Sequence, residues 1–321
     1  MSTISPPVAR DDERLLVRIA WACEIEGLTQ AEAAERFGIT RLRVNKALAE
    51  ARSQGIVRVS IDSDYAPCAQ AEYELKEKYS LRDAHVAPVF DPKSNVKNLI
   101  GSYLGQYLSS MLTDTRVQTF GIAWGSTLNI SMQHLRPMNR PDLEVMSVMG
   151  CVSRASDVNI IESARVLANL CNAQKRYFTA PLYADSAESR DTLLRQTVFN
   201  DMLERIRAVD ALTMTVGDVS SLSSMIRDGL PRSVTVNELV KAGAVGDVLG
   251  YYLDGKGRRI KHDINGCVVG MELEDLQRIP NVILAAGGQH KEKIINALLK
   301  RNVVNTLVTD QTTAKALIRQ R

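Results

Sequence analysis

The sequence predicts an α/β body behind a small all-helical head, and three observations carry that prediction. Two capped helices separated by a glycine lie within the first sixty residues. After residue 81, six apolar runs alternate with stretches of helical period. The chain is 321 residues long, which suits two domains at roughly 150 residues each. Hydrophobic residues make up 45% and charged residues 24%, the profile of a globular chain large enough to bury a core without disulfides. The formal net charge is only +3, so a case for nucleic acid must rest on local placement of charge.

Residues 13–26 place Leu15, Leu16, Ile19, Ala22, Cys23 and Ile25 at helical spacing, and Gly27 ends the run. Thr29 and Glu32 then form a capping box: the hydroxyl accepts from the backbone of residue 32 while the carboxylate reaches back to the Thr29 N–H. The short helix that follows ends at Gly38, the residue type that takes a left-handed C-cap. Thr40 caps a third helix to about Ser53, Gly55 stops it, and Ile56–Ile61 alternates like a strand. Small Ala33 suits a close helix crossing. Val44, Ala47 and Leu48 should face inward, leaving Arg41, Leu42, Arg43, Asn45 and Lys46 outside. Residues 41–58 carry five basic side chains and one acid, whereas residues 1–62 balance at nine of each. A capped helix-turn-helix with its base concentrated on the second helix is what a DNA-reading surface needs. The expected DNA-contacting set is Thr40, Arg41, Leu42, Arg43, Asn45 and Lys46. A solvated basic face is the simpler alternative.

The character changes after Asp62, so the expected domains are residues 1–62 and 63–321, with a helical stretch over 69–79 as a connector. The apolar runs are 84–89, 117–124, 143–149, 211–216, 282–286 and 305–309. The helix-like stretches are 95–112, 127–136, 159–173, 188–207, 289–300 and 311–319. This alternation implies βαβ units and a mostly parallel sheet. Ligands in such sheets sit beyond the carboxyl ends of strands, where helix N-termini present free N–H groups. Three junctions have that form. In the first, a strand runs into Gly125, and Ser126 and Thr127 open a helix, able to cradle a phosphate or simply to cap it. In the second, Gly287 and Gly288 end a strand and Lys291 enters the next helix, where a cation opposes the dipole. In the third, Asp310 is a candidate N-cap with a structural role. Apart from these, three glycines within 243–250 suggest a tight loop that aims Asp247.

Other chemistry is weakly signalled. Cys23, Cys68, Cys151, Cys171 and Cys267 are scattered and odd in number, which suits buried thiols in a reducing compartment. The four histidines show no metal or triad spacing, so no metal, cofactor or catalytic set is expected. No secretory leader and no membrane span are expected either: Val117–Leu135 lacks charge but carries Gln118, Asn129, Gln133 and His134. A cytoplasmic protein is the default.

Together these segments resemble the SorC/DeoR type of sugar-responsive bacterial transcription regulators. The resemblance rests on L-T-Q-A-E-A-A-E-R-F-G-I-T-R-L-R-V-N-K-A-L (28–48), F-G-I-A-W-G-S-T-L (120–128) and A-P-L-Y (180–183). It rests further on G-A-V-G-D-V-L-G (243–250), A-A-G-G-Q-H-K (285–291) and L-V-T-D-Q-T-T-A (307–314). It covers nearly the whole chain. The resemblance implies an effector domain like sugar-phosphate isomerases, a homotetramer, and a sugar, sugar phosphate or polyol as effector. By match, Gly125, Ser126, Thr127 and Lys291 would hold the polar or phosphate end, and Asp247 a hydroxyl. Arg154 and Asn159 are a looser transfer. The implied function is a DNA-binding regulator, a repressor, of a carbohydrate or polyol operon. The alternatives are an isomerase-like enzyme with a DNA-binding head and a structural DNA-binding protein with a vestigial pocket.

Overall fold

The structure, a computed structural model, describes residues 7–57, 63, 65–91, 94–152 and 160–320. The chain divides into two compact units, residues 1–63 and 64–321.

The first unit is three helices: α1 (Pro7–Glu24), α2 (Gln30–Phe37) and α3 (Arg41–Ser53). The first helix begins six residues before the sequence pattern does, and Pro7 suits its opening position because a first-turn N–H has no helical partner. The capping box forms as expected. Thr29 N–H donates to Glu32 Oε2 (2.7 Å) and Glu32 N–H to Thr29 Oγ1 (3.3 Å). These bonds to Thr29 hold the Glu32 carboxyl below its usual range. Gly38 takes the left-handed conformation at φ 63°, and the Thr40 hydroxyl accepts from Arg43 N–H. Leu16, Ile19, Ala20, Ala33, Ala34, Val44, Leu48 and Ala51 close around one another as a separate core, with Ala33 fully buried at the crossing. Ile56 and Val57 form a bend, and the rest of the expected strand over 56–61 lies outside the described residues.

The second unit runs in order α4 (Ala66–Tyr79), β1 (Asp83–Ala87), α5 (Val96–Met111), β2 (Thr119–Ile122), α6 (Ser126–Met132), β3 (Glu144–Ser147) and α7 (Ile160–Leu170). Next come β4 (Gln174–Arg176), α8 (Ala187–Leu194), α9 (Thr197–Arg207), β5 (Ala211–Met214), β6 (Gly217–Asp218), α10 (Val236–Lys241), β7 (Gly246–Val248) and β8 (Tyr251–Leu253). It closes with β9 (Asn281–Ala285), α11 (Glu292–Leu299), β10 (Thr306–Asp310) and α12 (Gln311–Arg319). Seven strands pair in parallel in the order β1-β10-β9-β5-β2-β3-β4. All six expected runs are in this sheet. Their centres read as unbroken apolar runs because helices cover both faces, as the full burial of Leu212, Val282, Ile283 and Leu284 shows.

Three features depart from the sequence pattern. The stretch 188–207 is two helices, because Gln196 is extended (ψ 134°) and the two halves meet different surroundings. No residue of α8 is buried, whereas α9 buries Met202, Leu203 and Ile206. The edge strand β4 is short and exposed, with no apolar alternation to reveal it. Finally, β6, β7 and β8 form a small antiparallel sheet, and Asp247 is the central residue of β7 rather than part of a loop. Gly246 is a strand residue, and that position needs glycine because a Cβ there would come 2.3 Å from the Gly217 carbonyl of the paired strand. The turn itself is Leu249–Gly250, with φ of 51° and 88°, the positive pair that a two-residue hairpin requires.

Candidate functional site

From β2 the chain proceeds outward to β3 and β4 on one side, while β5, β9 and β10 lie on the other. The order therefore reverses between β2 and β5, and the crevice beyond their carboxyl ends is where an open α/β sheet offers a site. A cleft of about 540 Å³, counting the part open to solvent, lies there. Its walls come from the segments after β2 (Ala123–Thr127) and β5 (Thr215–Gly217), with Met149, Leu222–Met225, Asp247, Leu249, Lys97 and Lys291.

The first junction is built on Gly125. Its φ is 154°, and a Cβ would come 2.5 Å from Thr215 Oγ1, which donates to the Trp124 carbonyl. Gly125 is itself the N-cap of α6, so neither Ser126 nor Thr127 caps the helix; both hydroxyl residues line the cleft.

The second and third junctions clasp each other. Gly288 N–H donates to Asp310 Oδ2 (2.9 Å) and Thr313 Oγ1 (2.8 Å), while Asp310 Oδ1 accepts from Thr312 and Thr313 N–H at the start of α12. A Cβ on Gly287 would stand 2.2 Å from Asp310 Oδ2. Asp310 is fully buried in this role, the structural one expected of it. The clasp fixes the turn that carries Lys291, which sits at the N-cap of α11 after a single 3₁₀ turn, one step before the helix expected to contain it.

Asp247 reaches the cleft from β7, opposite Gly217 on β6. A Cβ on Gly217 would fall 2.2 Å from Asp247 Oδ1 and 2.6 Å from Ser223 Oγ, so glycine is what lets carboxylate and hydroxyl converge. Asp247 Oδ1, Asp218 Oδ1 and Ser223 Oγ are buried and have no hydrogen-bond partner among the described residues. Burial pushes the Asp247 carboxyl up to about 7; the Lys291 charge opposes this and the Asp218 charge adds to it. Burial likewise pulls the Lys291 ammonium down, with help from Lys97, against Asp218 and Asp247. Chemically the cleft offers ammonium donors together with carboxylate and hydroxyl acceptors.

The sequence reading brought Gly125, Ser126, Thr127, Asp247 and Lys291 to one place. Arg154 and Asn159 lie outside the described residues. It missed Lys97, Thr215 and Ser223, which line the cleft, and Asp218, whose charge acts on Asp247 and Lys291; no local motif marks them. Trp124 is a core residue that also lines the cleft. On α3, Arg41, Leu42, Arg43, Asn45 and Lys46 are all exposed, as is Thr40 at its cap. The basic segment is less charged than its composition implies, because Arg52 pairs with Glu24 of α1 (2.9 Å). Among the described residues Arg41 and Lys46 form no ion pair.

A helix-turn-helix head and an α/β body with a polar cleft at its switch point define a class: transcription regulators that bind a small molecule. The model of the family described as "Putative sugar-binding domain" matches residues 63–319. The transcriptional regulator LsrR of Escherichia coli (strain K12 / DH10B) is 32% identical over 320 residues, 96% of this chain and 95% of that protein. LsrR of Enterobacter sp. (strain 638) is 30% identical over 317 residues, 97% and 94% of the two chains. The full-length sorbitol operon regulator SorC of Klebsiella pneumoniae superposes with a TM-score of 0.69 at 23% identity, covering 96% of this chain and all of that one. A DeoR family transcriptional regulator of Listeria monocytogenes gives 0.68 at 23%, covering 78% and 99%. The chain belongs to the SorC/DeoR-type family of sugar-binding transcriptional regulators. Its relatives bear the names of regulators, which favours that reading over the isomerase alternative. No helix among the described residues is long and apolar enough to cross a membrane.

Proposed function

We propose that the chain is a cytoplasmic repressor of a carbohydrate or polyol operon, released from its operator by a sugar, sugar phosphate or polyol bound in the cleft. In this reading residues 1–62 are the DNA-binding domain, with Thr40, Arg41, Leu42, Arg43, Asn45 and Lys46 against the operator. Residues 63–321 bind the effector and assemble a homotetramer that spans paired half-sites. Gly125, Ser126, Thr127 and Lys291 take the polar or anionic end, Asp247 takes a hydroxyl, and Arg154 and Asn159 stand by the same ligand.

One observation carries the reading. Ser223 and Asp247 present buried oxygens with no partner among the described residues to the cleft that the half-buried Lys291 also lines. Polar groups left so cost free energy unless something pairs them, and a polyhydroxy ligand supplies both donors and acceptors. For release, the effector must bind the DNA-free arrangement better than the DNA-bound one. The test is a gel shift of the full chain on the DNA upstream of its own gene, with a panel of sugars, sugar phosphates and polyols. One class of compound should release the DNA. Retention of DNA with every compound, by a protein that calorimetry shows to bind one of them, would refute the repressor reading.

A further inference from the structure

Two helices leave the turn after β9 and its clasp, and both reach the last turn of α4, the element that follows the head in the chain. Helix α11 has Lys291 of that turn as its N-cap, and α12 has Asp310, which is clasped to Gly288 of the same turn. Carbonyls in the last turn of a helix have no partner within it. In α12 those of Leu317 and Ile318 accept from the Lys78 ammonium of α4 (2.8 and 2.9 Å), as does the Gln320 carbonyl just beyond. A cation at that end also suits the helix dipole. Beside it the buried Tyr79 hydroxyl is placed to donate to the Leu317 carbonyl of α12 (3.0 Å) and to Oδ1 of buried Asn296 on α11 (2.9 Å). A phenol has one proton, so it cannot serve both acceptors fully at once. Both stay within reach only while α11 and α12 keep their spacing. A shift of either helix gives the proton to one acceptor and takes it from the other, which is then left buried at a cost.

We propose that Tyr79 is the joint that couples the turn after β9 to α4, its proton passing between α11 and α12 as that turn moves, while Lys78 keeps α12 tied to α4. This deepens the effector reading, on which it rests for the signal that moves the turn, by naming the element that both ends of the route bias. The test is a double-mutant cycle read by hydrogen exchange and mass spectrometry on the full chain. It uses neither effector nor DNA, so its failure refutes the joint and leaves the effector reading to the operator gel shift. Thr313→Val keeps the shape of a buried side chain and removes the hydroxyl that accepts from Gly288 N–H. Alone it should speed exchange in the last turn of α4, residues 76–79, about ten-fold. Tyr79→Phe keeps the ring and removes the joint, and in that background Thr313→Val should change the same exchange by less than about two-fold. Asn296→Ala removes only the α11 acceptor and should uncouple likewise; it carries the cycle if thermal unfolding shows that Tyr79→Phe does not fold. Exposed Tyr73→Phe on the same helix should leave the effect of Thr313→Val intact. Wild-type exchange of α4 in Thr313→Val overturns the proposal. So do effects of Thr313→Val and Tyr79→Phe, or of Thr313→Val and Asn296→Ala, that multiply independently.

Discussion

Replacing Asp247 by asparagine should stabilise the empty protein, and the gain should depend on pH in a definite direction. The carboxyl is pushed from 3.8 to about 7 in the folded chain, chiefly by burial. Below the unfolded value both states are protonated and the group is neutral to stability. As pH rises from about 4 to about 7, the unfolded chain sheds the proton while the folded chain keeps it, so stability falls; above 7 the loss is complete. An elevation of this size corresponds to roughly 4 kcal/mol at full expression. Asparagine has nearly the same shape and never ionises, so Asp247→Asn should leave stability at pH 4 little changed and raise it at pH 8. Relief of even half the cost would be about 2 kcal/mol. Urea unfolding of both proteins at pH 5, 6, 7 and 8, followed by tyrosine and tryptophan fluorescence of the body, measures it. The variant should show the shallower decline with pH. Parallel curves, or a variant that is less stable at pH 8, would refute the account of Asp247 as a carboxylate whose burial outweighs the compensation it receives from Lys291.

Other outcomes follow from the same geometry. Gly217→Ala puts a methyl group 2.2 Å from Asp247 Oδ1 and 2.6 Å from Ser223 Oγ, so it should displace both and abolish effector binding at a stability cost of roughly 1–3 kcal/mol; calorimetry and thermal melts report the two effects. Thr29→Ala removes the acceptor for Glu32 N–H and should destabilise the head by about 1 kcal/mol, seen as earlier loss of helical circular dichroism in an isolated head or in the first transition of the full chain. Arg43→Ala or Lys46→Ala should cost roughly 1–3 kcal/mol of operator binding where the side chain reads a base. Where it contacts only phosphate, binding should weaken evenly on operator and scrambled DNA, with the salt slope smaller by about one.

The head was legible because its signals are local. A capping box, a left-handed glycine and a capped basic helix each occupy a few consecutive residues, and the structure builds all of them from those residues. The parallel sheet was legible for a similar reason, since strands covered on both faces read as apolar runs. Strand order is a long-range property, so the reversal between β2 and β5 that locates the cleft could not be read from pattern. Asp247 shows the limit of a glycine signal. Three glycines within eight residues suggest a loop, yet Gly246 serves a close strand crossing and Gly250 a hairpin, while the carboxylate sits on the strand between. Lys97 in the first turn of α5 and Asp218 at the end of β6 belong to no motif, and only the fold brings them near Lys291.

The central claim is that the cleft around Lys291 receives the signal that the α3 face delivers to DNA. The most direct measurement pairs calorimetry with a gel shift on the Lys291→Ala protein, using the compound that releases wild type from its operator. Loss of the ammonium should weaken effector binding roughly ten- to a hundredfold while operator affinity without effector stays at the wild-type value, giving a repressor that cannot be induced. Wild-type effector affinity in the variant, or loss of DNA binding by a variant that is still folded, would contradict the claim.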